Sequence, residues 1–130
     1  MEFFEFKHTV ISSEIDYLNH VNNVVYLEWV QRAADKHWSF LTRNEKDFPY
    51  MWFIIRHEID YLQQAVLGDV VTIRTWVGKT AGVKSVRHVH ILKEEKVLAK
   101  AETTFCLLDK KGRRPARITE SVLNLLNPIK

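Results

Sequence analysis

The densest run of chemically capable side chains lies between residues 16 and 29, DYLNHVNNVVYLEW. It opens on an acid, Asp16, passes through Asn19, His20, Asn22 and Asn23, and reaches an aromatic, Tyr26. From Asn23 onward the apolar residues take helical spacing, so the polar run sits at a helix start. Unpaired N–H groups at a helix N-terminus carry partial positive charge. A carbonyl oxygen above them is polarised, and an oxyanion forming there is held. Losing one such donor typically costs about 3–4 kcal/mol of transition-state stabilisation. An ionised carboxylate facing the same place can attack that carbonyl or activate water on it. A donor cradle opposite a carboxylate is a layout for acyl transfer without metal or serine. The same residues also read as a plain turn. Asp and Asn are common turn formers, and the asparagines then only cap the helix.

These residues need elements to hold them. Residues 2–12 alternate, with Phe4, Phe6, His8 and Val10 on one parity, which predicts a strand. Tyr26, Trp29, Val30, Ala33, His37, Phe40 and Leu41 share one face of a helix. That helix runs about four to five turns from near Asn23, with Asn22 and Asn23 as cap residues. After Pro49 the pattern turns to β. Strands are predicted over 52–64, 70–77, 83–92 and 97–108, with a turn at Gly68-Asp69 and a loop at 78–82. Lys93 to Lys96 forms a charged hairpin tip, and Asp109 to Gly112 closes the last strand. Residues 119–126 predict a short helix capped by Thr119. One strand, one long helix and four strands that look hairpin-linked give an α+β class. The expected architecture is a single domain over 1–130, a five-stranded antiparallel sheet wrapped around one central helix. Such a sheet covers the helix on one face, and its other face and edges invite a second subunit.

Composition narrows the classes. The 130 residues are 46% apolar and 27% charged, which suits one globular domain and not a disordered chain. Lys plus Arg is 19 and Asp plus Glu 16, a net charge of +3 that demands no nucleic-acid partner. A single cysteine, Cys106, excludes an intramolecular disulfide and a multi-cysteine zinc site. No apolar run approaches the roughly 20 residues of a membrane span. The segment MEFFEFKH is acidic and alternating, unlike a signal peptide. The expectation is a cytoplasmic protein with neither a membrane nor a nucleic-acid partner.

The order Asp16, Tyr17, Leu18, Asn19, His20, Val21, Asn22, Asn23, Val24, Val25, Tyr26 resembles the motif of the hotdog-fold acyl-CoA thioesterases, in the 4-hydroxybenzoyl-CoA thioesterase-like group. That motif is an Asp, a short spacer, Gly-His-Val-Asn-Asn, two residues and Tyr. The departure is Asn19 in place of Gly, and Asn tolerates the left-handed conformation better than most residues. The segment from Arg56 to Val77 is also similar, with Tyr61, Ala65, Gly68 and Asp69 in the usual places. The resemblance implies a β-α-β-β-β-β hotdog domain whose subunits pair edge to edge. Active sites would lie at the dimer interface, and dimers often join into tetramers. It implies Asp16 as nucleophile or general base and Asn23 as the backbone donor to the thioester carbonyl. His20 would act beside them, and Asn22 and Tyr26 would support them or touch substrate. The ordinary aspartate pKa of about 3.9 makes a weak base at neutral pH, which favours attack or a raised value.

With that substrate class, the tract Lys110, Lys111, Arg113, Arg114 and Arg117 is either a solvated hairpin end or a clamp for coenzyme A phosphates. Lys84 and Arg87 form a second set for the same task. His57 shares the parity of Ile55, Ile59 and Tyr61, a place for a hydrogen-bonded histidine at the sheet's buried face or, alternatively, for one that lines an acyl pocket. His88 and His90 face one way, but a metal needs further ligands. His37 belongs to the helix's apolar stripe, and Cys106 reads as a small buried hydrophobe. Gly78-Lys79-Thr80 fails as a phosphate loop because Ile73 stands where it needs glycine, and no GxSxG elbow occurs. Trp29 and Trp52 are candidates for the floor of an acyl tunnel. The expected activity is acyl-CoA hydrolysis by a homodimer or homotetramer. No cofactor is expected beyond the coenzyme A of the substrate, and no metal. Two other readings stay open: an acyl-carrier-protein thioesterase and a non-catalytic acyl-CoA-binding module.

Overall fold

The computed structural model describes residues 3–127. The elements run β1 (Phe4–Thr9), a 3-10 turn (Ser12–Glu14), α1 (Asn23–Leu41), β2 (Tyr50–Tyr61), β3 (Val70–Ala81), β4 (Lys84–Lys93), β5 (Lys96–Asp109) and α2 (Glu120–Leu126). The strands form one antiparallel sheet in the order β1-β3-β4-β5-β2. The class and architecture are those expected from the sequence.

The long helix buries Val25, Tyr26, Trp29, Val30, Ala33, Ala34 and His37. It lies over β3 and β4 and meets their inward side chains, among them Val71, Ile73, Val89 and Ile91. Phe40 ends off that face, exposed beside Phe4 and under the Arg43 guanidinium. A second apolar cluster forms at the far end of α1. There α2 brings Val122 and Leu126 onto Val77 and Leu107, with Trp38 and Trp52 packed against them.

Three features depart from the sequence expectation, each for a local reason. The residues expected as a loop at 78–82 belong to β3, which continues to Ala81 and turns only at Gly82, where φ is +65°. Gly78 makes the continuation possible, because a Cβ there would lie 2.5 Å from His88 Nε2. The four later strands are not all hairpin-linked. β2 pairs with β5 and β3 with β1, so residues 62–69 cross from one side of the sheet to the other. That crossing is pinned beneath the helix start. Val21 N–H donates to Ala65 O at 2.9 Å and Ala65 N–H to the Tyr26 hydroxyl at 3.0 Å. Finally, β2 carries a bulge between Ile54 and Arg56. An extra residue reverses the alternation. Ile55 therefore faces outward at 44% exposure, while His57 and Ile59 join Trp52 and Ile54 on the helix side. The parity shared by Ile55 and His57 in sequence is thus corrected.

Both sheet edges are open strands, β1 of six residues and β2 of twelve. Because α1 covers β3 and β4, the helix-side face of β5 and β2 is only partly covered by this chain.

Candidate active site

The segment before α1 folds back on itself as a small antiparallel hairpin. Asn22 N–H donates to Glu14 O, Ile15 bridges Val21, and Asp16 N–H donates to His20 O. Asn19 closes the turn at φ +66°, the left-handed conformation that its short amide tolerates, and its N–H reaches Asp16 O at 3.0 Å. Asp16 Oδ1 accepts from Leu18 N–H at 2.9 Å and from His20 N–H at 3.4 Å. Among the described residues Oδ2 has no hydrogen-bond partner, which leaves one oxygen of a half-buried carboxylate free. His20 is half-buried beside it.

At the end of this hairpin, Asn22 caps α1. Its Oδ1 accepts from Val24 N–H at 3.1 Å and its carbonyl from Val25 N–H at 2.8 Å. The Asn23 N–H has no partner among the described residues. A free donor, the helix dipole and a free carboxylate oxygen thus belong to one short stretch of chain. The hydroxyl of Tyr61, at the end of β2, donates to Asn23 O at 3.3 Å. Tyr26 is 1% exposed and braces the crossing segment through Ala65, edge-on to Trp29 and Tyr61. Tyr17, Leu18 and Val24 surround the loop as exposed apolar side chains.

Sequence reasoning missed what anchors the loop. Glu14 is 8% exposed and its carboxylate gathers three donors. Ile11 N–H reaches Oε1 at 3.0 Å, His8 Nε2 reaches Oε1 at 2.9 Å, and the Trp29 indole reaches Oε2 at 3.0 Å. Burial alone would raise its pKa. The Ile11 N–H, His8 and Trp29 outweigh that and hold the group below its ordinary value. No spacing rule marks Glu14, which sits in a polar turn. Only the fold brings His8 and Trp29 to it.

At the other end of α1 lies a cavity of about 360 Å³. Its walls include Trp38, Phe48, Tyr50, Trp52 and Phe105, and Arg87 lines it too. Arg87 is 6% exposed, and its Nη1 donates to His37 Nδ1 at 2.8 Å and to Thr75 Oγ1 at 3.0 Å. Burial and the Arg87 charge push the His37 pKa down to about 4, so at neutral pH its Nδ1 is an acceptor. Burial, opposed by Asp35, pushes Arg87 to about 10, which leaves it a cation at neutral pH.

The structure separates the pair Lys84 and Arg87. Three residues apart on a strand, they face opposite sides. Lys84 is exposed, whereas Arg87 points under α1 and is no surface phosphate clamp. Arg113 and Arg114 are exposed in the turn after β5, Arg113 at φ +54°, and Lys110 of the same tract lines the cavity. His57 donates or accepts at Thr103 Oγ1 over 2.8 Å on the helix side of β2, and burial lowers its pKa. Trp52 lines the cavity, while Trp29 is fully buried on Glu14. Asp16, His20, Asn22 and Asn23 come together, with Tyr26 beneath them. Arg87, Arg113 and Arg114 belong to the other end of the chain's helix.

The family model described as the thioesterase-like superfamily matches residues 10–126. The long-chain acyl-CoA thioesterase FadM of Escherichia coli is 29% identical over 108 residues, 77% of this chain and 79% of that protein. A predicted thioesterase from Bacillus stearothermophilus superposes with a TM-score of 0.87 at 23% identity, over 97% of this chain and 95% of that one. SAV2348 from Staphylococcus aureus, solved in complex with CoA, gives 0.87 at 19% identity, over 97% and 82%. The match over residues 10–126 takes in the Asp16 hairpin, the capped helix and strands β2 to β5, and the chain belongs to the thioesterase-like superfamily as a hotdog-fold thioester hydrolase.

Proposed function

We propose that this protein hydrolyses acyl-CoA to the free acid and CoA, working as a homo-oligomer built from dimers. The observation that carries the reading is the free Asp16 Oδ2 on a hairpin that runs directly into the helix start, where the Asn23 N–H has no partner among the described residues. FadM, an acyl-CoA thioesterase by name, and the CoA complex of a protein of the same fold support the substrate class.

In this reading the thioester carbonyl oxygen accepts from Asn23 N–H, where the helix dipole stabilises the developing oxyanion. Asp16 Oδ2 either attacks the carbonyl carbon or takes a proton from an attacking water. In the first route the carbon–sulfur bond breaks, CoA leaves as thiolate, and water then cleaves the acyl–Asp16 anhydride. In the second, water adds directly and Asp16 carries its proton to the departing sulfur.

The dimer follows from the direction of β2. Near its start Tyr50, Met51, Trp52 and Ile54 line the cavity, and at its end Tyr61 touches Asn23. A twelve-residue open edge is a template for a second strand. Antiparallel pairing of two β2 strands about the bulge sets the cavity of one subunit beside the Asp16 loop of its partner. The exposed Tyr17, Leu18 and Val24 would be covered there. The exposed Arg113 and Arg114 would hold the CoA phosphates in this reading.

The test is free-thiol release from short, long and aromatic acyl-CoAs by wild type and Asp16→Asn. Turnover should fall by at least about 100-fold in the variant, the range for losing a positioned acid–base or nucleophilic group. Near-wild-type turnover by a folded Asp16→Asn protein would sink the mechanism.

A further inference from the structure

Asp35 and Lys110 line the cavity as exposed charges, whereas Arg87 lines it as a buried one, which an apolar acyl chain does not need. Arg87 is a cation with 6% of its surface exposed. Its two hydrogen bonds both leave from Nη1, one to neutral His37 and one to Thr75. No carboxylate lies within ion-pair distance among the described residues, and Asp35 acts on it only from further off. Among the described residues Nε and Nη2 have no hydrogen-bond partner, yet none of these residues holds a sealed, unpartnered side-chain nitrogen. Those two nitrogens therefore keep access to open space, and the space beside them is the cavity that Arg87 lines.

Nε and Nη2 form the side-on edge of the guanidinium. That edge presents two parallel N–H bonds, the geometry that takes both oxygens of a carboxylate. Thr75 is itself committed, since its hydroxyl donates to His88 O at 2.8 Å, and this fixes how Nη1 is held. The free edge is thus oriented by the fold and is not adjusted by a flexible side chain. A buried cation without a counter-ion is costly, and an anionic ligand relieves that cost.

Resting on the proposed thioesterase reading, we infer that the cavity takes an acyl group ending in a carboxylate, so that the substrate is the mono-CoA ester of a dicarboxylic acid. The distal carboxylate would sit on Arg87 Nε and Nη2 while Trp52, Phe48 and Phe105 enclose the carbon chain. An acyl group ending in methyl would leave the Arg87 edge desolvated and unpaired.

Two measurements separate this inference from the reading beneath it. The first compares kcat/KM for succinyl-, adipoyl- and suberoyl-CoA with butyryl-, hexanoyl- and octanoyl-CoA. For at least one length, wild type should favour the carboxylate by at least about tenfold, the worth of a charged hydrogen bond. Arg87→Met should abolish that ratio, and Arg87→Lys, which keeps charge without the fork, should recover only part of it. The second follows tryptophan fluorescence as free adipate and suberate are added, since Trp38 and Trp52 line the cavity. Saturable quenching in wild type that is lost in folded Arg87→Met supports the site even if no thioester is cleaved, which would fell the hydrolase reading alone. Turnover confined to methyl-ended chains, or carboxylate preference retained in Arg87→Met, would overturn the inference.

Discussion

Replacing Glu14 by Gln keeps the shape of the side chain and removes one acceptor and the charge. The carboxylate holds Ile11 N–H, His8 Nε2 and the Trp29 indole in a site 8% exposed. An amide can turn its oxygen to only one side. If the oxygen stays on Trp29, its NH2 faces the Ile11 N–H, and if it turns, the indole faces a donor. Either way one buried donor is left unpaired, at about 1–3 kcal/mol, and the remaining bonds lose their charge assistance. The expected loss is about 2–4 kcal/mol from a total that is typically 5–15.

Urea unfolding at pH 7 followed by circular dichroism would read this as a midpoint lowered by 1 M or more, at a slope of about 1–3 kcal/mol per M. The pH dependence supplies a second check. The folded pKa of Glu14 lies below its ordinary 4.5, so its contribution is complete above that value. It is lost as pH falls through the lower, folded value, because only then does the native carboxylate take a proton. Wild type and Glu14→Gln should therefore converge in strong acid. Equal stability at pH 7, or a gap that widens in acid, would refute the account of this network.

His37 has the opposite chemistry and the same sign. Its pKa falls from 6.5 to about 4 on folding, so the unfolded chain binds the proton first. About 3 kcal/mol of stability should disappear as pH drops from 6.5 to 4, and His37→Gln, which can still accept from Arg87, should show no such limb. At the φ +66° position, Asn19→Ala should cost about 1–2 kcal/mol and Asn19→Gly little, measured by thermal unfolding. Mixed dimers of Asp16→Asn and Arg87→Met subunits should regain the carboxylate-preferring turnover that neither homodimer shows. A mixture no better than its parts would refute pairing through β2.

The elements were legible where the signal was local. Thr119 caps α2 by accepting from Val122 N–H, and Glu94 and Glu95, both at positive φ, form the hairpin tip between Lys93 and Lys96. Asn22 caps α1 as its amide suggested. What alternation missed depends on partners distant in sequence. The β2 bulge flips the parity of Ile55 because β5 pairs across it, and the continuation of β3 past Gly78 depends on His88. The pairing of β2 with β5 has no local signature at all.

The same divide runs through the site, and it follows the chemistry. The proposed reacting groups, Asp16 to Asn23, are adjacent in sequence because a hairpin followed by a helix cap builds both a carboxylate and free donors from one short segment. Recognition has no such economy. Arg87 from β4, His37 from α1, Thr75 from β3 and Phe105 from β5 converge on one cavity only through the sheet order β1-β3-β4-β5-β2. By spacing, Arg87 and Lys84 looked like two cations for one phosphate. Strand parity alone assigns them to opposite faces, and burial under α1 takes Arg87 out of the role of a surface phosphate clamp. Substitutions in the cavity can then retune which acyl group is accepted while the Asp16 hairpin, tied down through Glu14 and Trp29, keeps its geometry.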